Sequence, residues 1–140
     1  MDTTQHFIDT VAITALLNNY ILSIDSHNNE QFADNFTDDG VYDSPWGVAE
    51  GRAAIVNNIA YWHSSGITKG KRHFMGASRI TSLGDTEAQA ESNYWIAEAE
   101  TAPGIVATGY YLDTLKKVNG TWKIAHRKQV VDPSFKMNAE

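Results

Sequence analysis

The sequence predicts an α+β domain in which a curved antiparallel sheet wraps around a long N-terminal helix and leaves a cone-shaped apolar cup. Three features of the chain carry this expectation. The N-terminal part repeats apolar residues at helical spacing, and the C-terminal half alternates with a period of two. The changeover falls in a polar, glycine-containing loop at residues 64–71. Helices first and long strands afterwards is the order of domains whose helices gather on one face of an antiparallel sheet. Strands of about ten residues must coil to stay packed, so the sheet should curve around the first helix.

The first helix is expected over residues 9–26, with Ile13, Leu17, Tyr20, Ile21 and Ile24 on one face and Asp9 or Thr10 as its cap. A short second helix is expected over residues 29–36, with Phe32 and Phe36 one turn apart. Thr37-Asp-Asp-Gly40 reads as a turn into a short strand, Val41-Tyr42-Asp43, and Ser44-Pro-Trp-Gly47 as a hairpin bend. A third helix follows over residues 51–62, presenting Ile55, Ile59 and Trp62. Strands are expected at 73–83, 87–100, 105–118 and 121–131. The Asn119-Gly120 pair between the last two is the strongest turn signal, because a type I′ hairpin needs positive φ at both central residues. Three consecutive hairpins make a meander.

A chain of 140 residues fits one domain spanning 1–140, and its 42% hydrophobic content supports a packed core. A net charge of −6 argues against a nucleic-acid backbone as partner. The absence of Cys removes disulfides, thiolate chemistry and cysteine zinc sites. His6, His27, His63, His73 and His126 lack the close spacing of metal ligands, and no Gly-rich phosphate loop is present. No metal and no cofactor are therefore expected. No apolar run reaches the roughly 18 residues of a membrane span, and the N-terminus lacks a signal-peptide pattern. A cytoplasmic location without membrane partners is expected.

Asp25 and His73 are the candidate chemistry. Asp25 lies at the C-terminal end of the first helix, at the edge of its apolar stripe, and His73 opens a strand. A carboxylate in a last helical turn faces the negative end of the macrodipole, so a hydrogen-bonding partner is favoured there. An imidazole held by a carboxylate keeps one fixed tautomer and acts as a general base near neutral pH. Tyr20 reads equally as a core aromatic or as a hydroxyl that polarises a ligand carbonyl. Trp46, Trp62, Phe74, Met75, Tyr94 and Tyr110 are candidates for the apolar lining of a small hydrophobic ligand site. His126 alternates with Trp122 and Ile124, which makes it either a packing histidine or a further site residue. Arg127 and Lys128 are expected to end their strand in solvent or at a subunit interface. The outer face of the sheet, rich in Tyr and Trp, calls for cover, and a homo-oligomer, trimer or dimer, is expected.

Several segments together resemble the SnoaL-like branch of the nuclear transport factor 2-like superfamily. These are the Tyr20–Asp25 helix end, Phe36-Thr-Asp-Asp-Gly-Val-Tyr42, Gly51-Arg-Ala-Ala-Ile55, Arg72-His73-Phe74, and Val118-Asn-Gly-Thr-Trp-Lys-Ile124 with His126-Arg127. The resemblance runs over residues 11–132 and implies a cystatin-like α+β barrel. By site pattern the chain is most similar to the scytalone dehydratase-like group, which includes bile-acid dehydratases and hexachlorocyclohexane dehydrochlorinase. Members of that group place an Asp near the end of the first helix and a His at the start of a central strand, where Asp25 and His73 stand. The Tyr of the bile-acid dehydratases matches Tyr20. Scytalone dehydratase has a second His on the strand that is 105–118 here, where this chain has Val106 and Thr108.

The resemblance implies a cofactor-independent dehydratase-type lyase or isomerase acting on a small, cyclic hydroxy-carbonyl compound through a His–Asp dyad. The same fold also serves non-catalytic ligand-binding or assembly domains and the small subunits of ring-hydroxylating dioxygenases, so these stand as alternatives.

Overall fold

The computed structural model describes residues 2–135. In chain order it contains α1 (Thr3–Asp25), α2 (Asn29–Ala33), β1 (Phe36–Ser44), β2 (Gly47–Glu50), α3 (Arg52–Ser64), β3 (Lys71–Leu83), β4 (Glu87–Glu98), β5 (Ile105–Val118) and β6 (Thr121–Val131). The strands form one curved, unclosed sheet in the order β2-β1-β6-β5-β4-β3. The expected α+β architecture is present.

α1 starts well before the expected residue 9. Asp2 is its N-cap and accepts from the Gln5 backbone N–H at 2.7 Å. Phe7, Ile8 and Val11 are exposed, so this first stretch follows no buried stripe and its pattern hides the helix. Asp9 is no cap. It is 2% exposed and accepts from Trp122 Nε1 (2.8 Å), Lys117 Nζ (2.9 Å) and Gln5 Nε2 (3.1 Å), which ties α1 to the far ends of β5 and β6. By length and composition α1 is apolar enough to cross a membrane, contrary to the sequence reading, yet its apolar face is packed inside the sheet.

α2 stops at Ala33, short of the expected residue 36. The Asn35 amide donates to the Phe32 carbonyl at 3.0 Å and to Ser23 Oγ at 3.2 Å, ending the helix and freeing Phe36 to begin β1. β1 also absorbs the expected Thr37–Gly40 turn.

β3 to β6 form the expected antiparallel meander. The pairing of β1 with β6 is parallel and lies outside the sequence reading; it sets Tyr42 opposite Arg127. Ile13, Leu16, Leu17 and Ile21 of α1 pack in one core with Ala88, Ala90, Leu115, Trp122 and Ile124 of the sheet. Alanines on β4 let the helix approach closely, so this end of the cone is filled. Large aromatics and the last turns of α1 hold the other end apart.

Two irregularities decide which side chains face inward. Leu115 pairs with Ile124 and Thr114 with His126, leaving Ala125 as a bulge on β6. Beyond it Arg127, 1% exposed, and Gln129 face inward, and His126 turns to the outer face. The second feature is Gly109, where β5 passes Tyr94. A Cβ at this position would meet the Val130 carbonyl oxygen at 2.1 Å and the Tyr94 hydroxyl at 2.6 Å. Gly109→Ala should therefore cost about 1–3 kcal/mol as an overpacked site, read as a lowered midpoint in urea melts. An unchanged midpoint would show that the strands have room this geometry denies.

Candidate functional site

Asp25 is the last residue of α1, and the chain leaves the helix through Ser26 and His27, the latter at φ 57°. β3 is an edge strand, and α1 ends against the start of it. Asp25 Oδ2 accepts from the His73 backbone N–H at 2.9 Å, and Asp25 Oδ1 meets His73 Nδ1 at 2.8 Å. One carboxylate thus holds both the backbone and the ring of the same residue. A carboxylate can only accept, so Nδ1 carries the proton. Among the described residues nothing bonds Nε2, and His73 lines the cup. Burial pushes the Asp25 carboxyl up, but the hydrogen bonds from the His73 ring and backbone, with the nearby charges of His73 and Arg72, outweigh it. The net shift is downward.

The cup is a cavity of about 100 Å³. Ile24 and Phe32 line it from α1 and α2, Ile59 and Trp62 from α3, and Ile96 and Val106 from the sheet. Trp46, on the bend between β1 and β2, packs edge-to-face on Trp62 at 5.0 Å and on Phe135 at 6.1 Å. The Trp62 indole N–H is taken by Asn58 Oδ1 at 2.8 Å. Lys71 also lines the cup, but its ammonium is paired with Glu98 at 2.7 Å. The walls are therefore largely apolar.

Tyr20, Tyr42, Tyr111 and Gln129 supply further polar groups to the lining. The Tyr42 hydroxyl donates to Gln129 Oε1, Gln129 Nε2 donates to the Tyr94 hydroxyl at 3.0 Å, and that hydroxyl donates to the Val130 carbonyl at 3.3 Å. Burial raises the Tyr20, Tyr42 and Tyr111 phenols and pushes Tyr94 up to about 12, so all four stay protonated at neutral pH. The Arg127 guanidinium lies over the rings of both Tyr20 (4.0 Å) and Tyr111 (4.1 Å), which meet each other edge-to-face. It donates to both Asp113 oxygens at 2.7 Å, from Nε and Nη2.

Of the residues singled out from sequence, Asp25, His73, Tyr20, Trp46 and Trp62 come together here. Others do not. Phe74 and Tyr110 lie on the outer face, Phe74 stacked on Trp95 at 5.2 Å, because strand alternation opposes them to His73 and Tyr111. His126 is carried outward by the Ala125 bulge, and the same bulge buries Arg127, which was expected in solvent or at a subunit interface. Met75 packs against the core, and Tyr94 sits behind the lining as the support of Gln129. Tyr42, Tyr111, Gln129 and Phe135 were missed. Tyr111 could have been found from its alternation with Gly109 and Asp113; Tyr42 and Gln129 depend on the parallel pairing and the bulge. No group of three or more His, Asp or Glu suited to a metal occurs among the described residues.

The model of the SnoaL-like domain matches residues 5–128. The chain belongs to the SnoaL-like family. Solved structures agree with that membership. A candidate scytalone dehydratase from Novosphingobium aromaticivorans is 25% identical with a TM-score of 0.79, over 99% of this chain and 95% of that one. A cystatin-like-fold protein of unknown function from Nostoc punctiforme is 25% identical with a TM-score of 0.82, over 91% and 94% of the two chains. An NTF2-like protein from Novosphingobium aromaticivorans, 21% identical with a TM-score of 0.83 over 95% and 92%, shares the fold. No curated protein matches the chain.

The lowered carboxyl gives this SnoaL-like site an acid signature. A depressed folded pKa contributes stability that is complete above the ordinary Asp value, near about 3.9, and is lost as pH falls through the folded value. Denaturant melts should show the native protein losing its advantage over Asp25→Asn below about pH 4. An advantage that survives unchanged at the lowest pH where both fold would mean the carboxylate is not held by His73.

Proposed function

We propose that this SnoaL-like protein is a cofactor-independent, cytoplasmic lyase that dehydrates a small, hydrophobic, cyclic hydroxy-carbonyl compound. One observation carries the reading: the Asp25 carboxylate holds His73 by ring and backbone and leaves Nε2 unbonded at an apolar cavity. In this mechanism Nε2 removes a proton from the carbon beside the carbonyl. The C–H electron pair becomes the new C=C bond, and the neighbouring C–O bond breaks. A tyrosine of the lining, Tyr20 or Tyr42, polarises the carbonyl by donating to its oxygen. The imidazolium gives its proton to the departing hydroxide, which leaves as water, and Asp25 stabilises the imidazolium until that transfer. Apolar walls strengthen each of these interactions by excluding water. The resemblance of the fold to a candidate scytalone dehydratase supports the same reaction class.

The open, hydrogen-bond-oriented base favours elimination over a binding-only role.

Against a panel of cyclic β-hydroxy ketones, His73→Gln should lower turnover by roughly 10²–10⁴, the usual contribution of a positioned base. Asp25→Asn should lose most activity, and the double variant should be little worse than His73→Gln alone, because the two act as a unit. Multiplying losses would sink the dyad.

The outer face of the sheet exposes Phe74, Ile105, Tyr110 and Leu112. We propose that a second or third copy of the chain covers it, giving a dimer or trimer. Light scattering at micromolar concentration should report the oligomer, and Phe74→Lys with Tyr110→Lys should dissociate it. A monomeric native protein would refute the arrangement.

A further inference from the structure

We propose that Arg127 is the electrostatic source of an anion-selecting floor in the cup, so that the ligand of this site presents an oxygen that carries or develops negative charge, as in a phenolate or an enolate. The inference deepens the lyase reading and rests on it for the reaction, but the binding it describes needs no turnover.

Arg127 is 1% exposed and faces the interior only because of the Ala125 bulge. Its Nε and Nη2 are given to Asp113, and Nη1, on the opposite edge of the fork, is a buried donor without a partner among the described residues. Such an orphan is costly where it serves only the fold. The pair is also directional. Along the inner face of β5, Tyr111 lines the cup, and Asp113, the next inward residue, does not. Successive inward residues are about 7 Å apart on a strand. The guanidinium lies over the rings of Tyr20 and Tyr111. Neither member of the pair lines the cup, but the guanidinium, unlike its carboxylate, packs on two rings that do, so the positive end acts on the cavity through Tyr20 and Tyr111.

Two consequences follow. The cation acts on the phenols of the lining, and its charge works on Tyr20 against the effect of burial. A guanidinium held by both Asp113 oxygens and packed on two rings also cannot swing away as charge develops, so its field needs no reorganisation. The Gln129 amide adds a device. Turned by 180°, it would donate Nε2 to Tyr42 and accept from Tyr94, releasing the Tyr42 proton toward a ligand. The remaining charges at the cup are Lys71, neutralised by Glu98, and the His73–Asp25 pair.

The test uses 4-nitrophenol, whose two protonation states absorb differently. Bound to the native protein, it should ionise at least about one pH unit below the free compound, a tenfold preference for the anion. The preference should persist in His73→Gln, which removes the imidazole as a source of charge. It should disappear in Asp113→Asn with Arg127→Gln, a replacement that keeps a hydrogen-bonded pair and removes the cation, with folding checked by a thermal melt. Binding of the neutral phenol alone, or no binding of either form at millimolar probe, overturns the proposal. So does loss of the preference in His73→Gln, which would assign the charge to the imidazole and leave the lyase reading intact. Conversely, an intact preference in a protein that turns over no hydroxy ketone would strike the lyase reading and leave the floor standing.

Discussion

Asp25 gives both of its oxygens to one residue. Oδ2 satisfies a backbone N–H on the free edge of β3, and Oδ1 orients the ring of the same histidine. The first bond fixes where α1 ends relative to the sheet, and the second fixes how the imidazole is presented. Neither works unless the helix runs inside the curve of the sheet at the right depth. That depth is set at the other end, where Asp9 is buried among Trp122, Lys117 and Gln5. α1 is thus tethered at both ends by carboxylates, one buried among core partners and one holding the histidine that lines the cup.

Between those tethers the interior changes character. Near Asp9, small β4 alanines and branched side chains fill the cone. Near Asp25, three tyrosines, two tryptophans and Phe32 surround an open space. The polar groups of that space differ in chemistry. His73 offers a free lone pair, whereas Tyr20, Tyr42 and Tyr111 offer protons from phenols that burial keeps neutral. An elimination that takes a proton at one atom and feeds charge to another needs such a division.

The long-period features were legible in the sequence. Apolar spacing from Ile13 to Ile24 located α1, and alternation with Asn119-Gly120 located the meander. Asp25 and His73 were legible because they fall where the scytalone dehydratase-like group, which the chain resembles, places an Asp at the first helix end and a His at a strand start. Residues beyond Ala125 were not. A bulge is one unpaired residue with no composition signal, and it inverts every assignment downstream, which exchanged His126 for Arg127. Tyr42 was hidden for a related reason: its position depends on the parallel pairing of β1 with β6, a contact between distant segments that local pattern does not encode. The early start of α1 escaped because its first turns are exposed.

The central claim is that Asp25 locks His73 as the Nδ1–H tautomer and leaves Nε2 free as the base. Imidazole nitrogen NMR on protein labelled with nitrogen-15 at histidine reads this directly. In the neutral ring His73 should show a protonated Nδ1 and an Nε2 at the shift of an unbonded acceptor, and Asp25→Asn should disturb that pattern. A neutral His73 found with its proton on Nε2 would contradict the account.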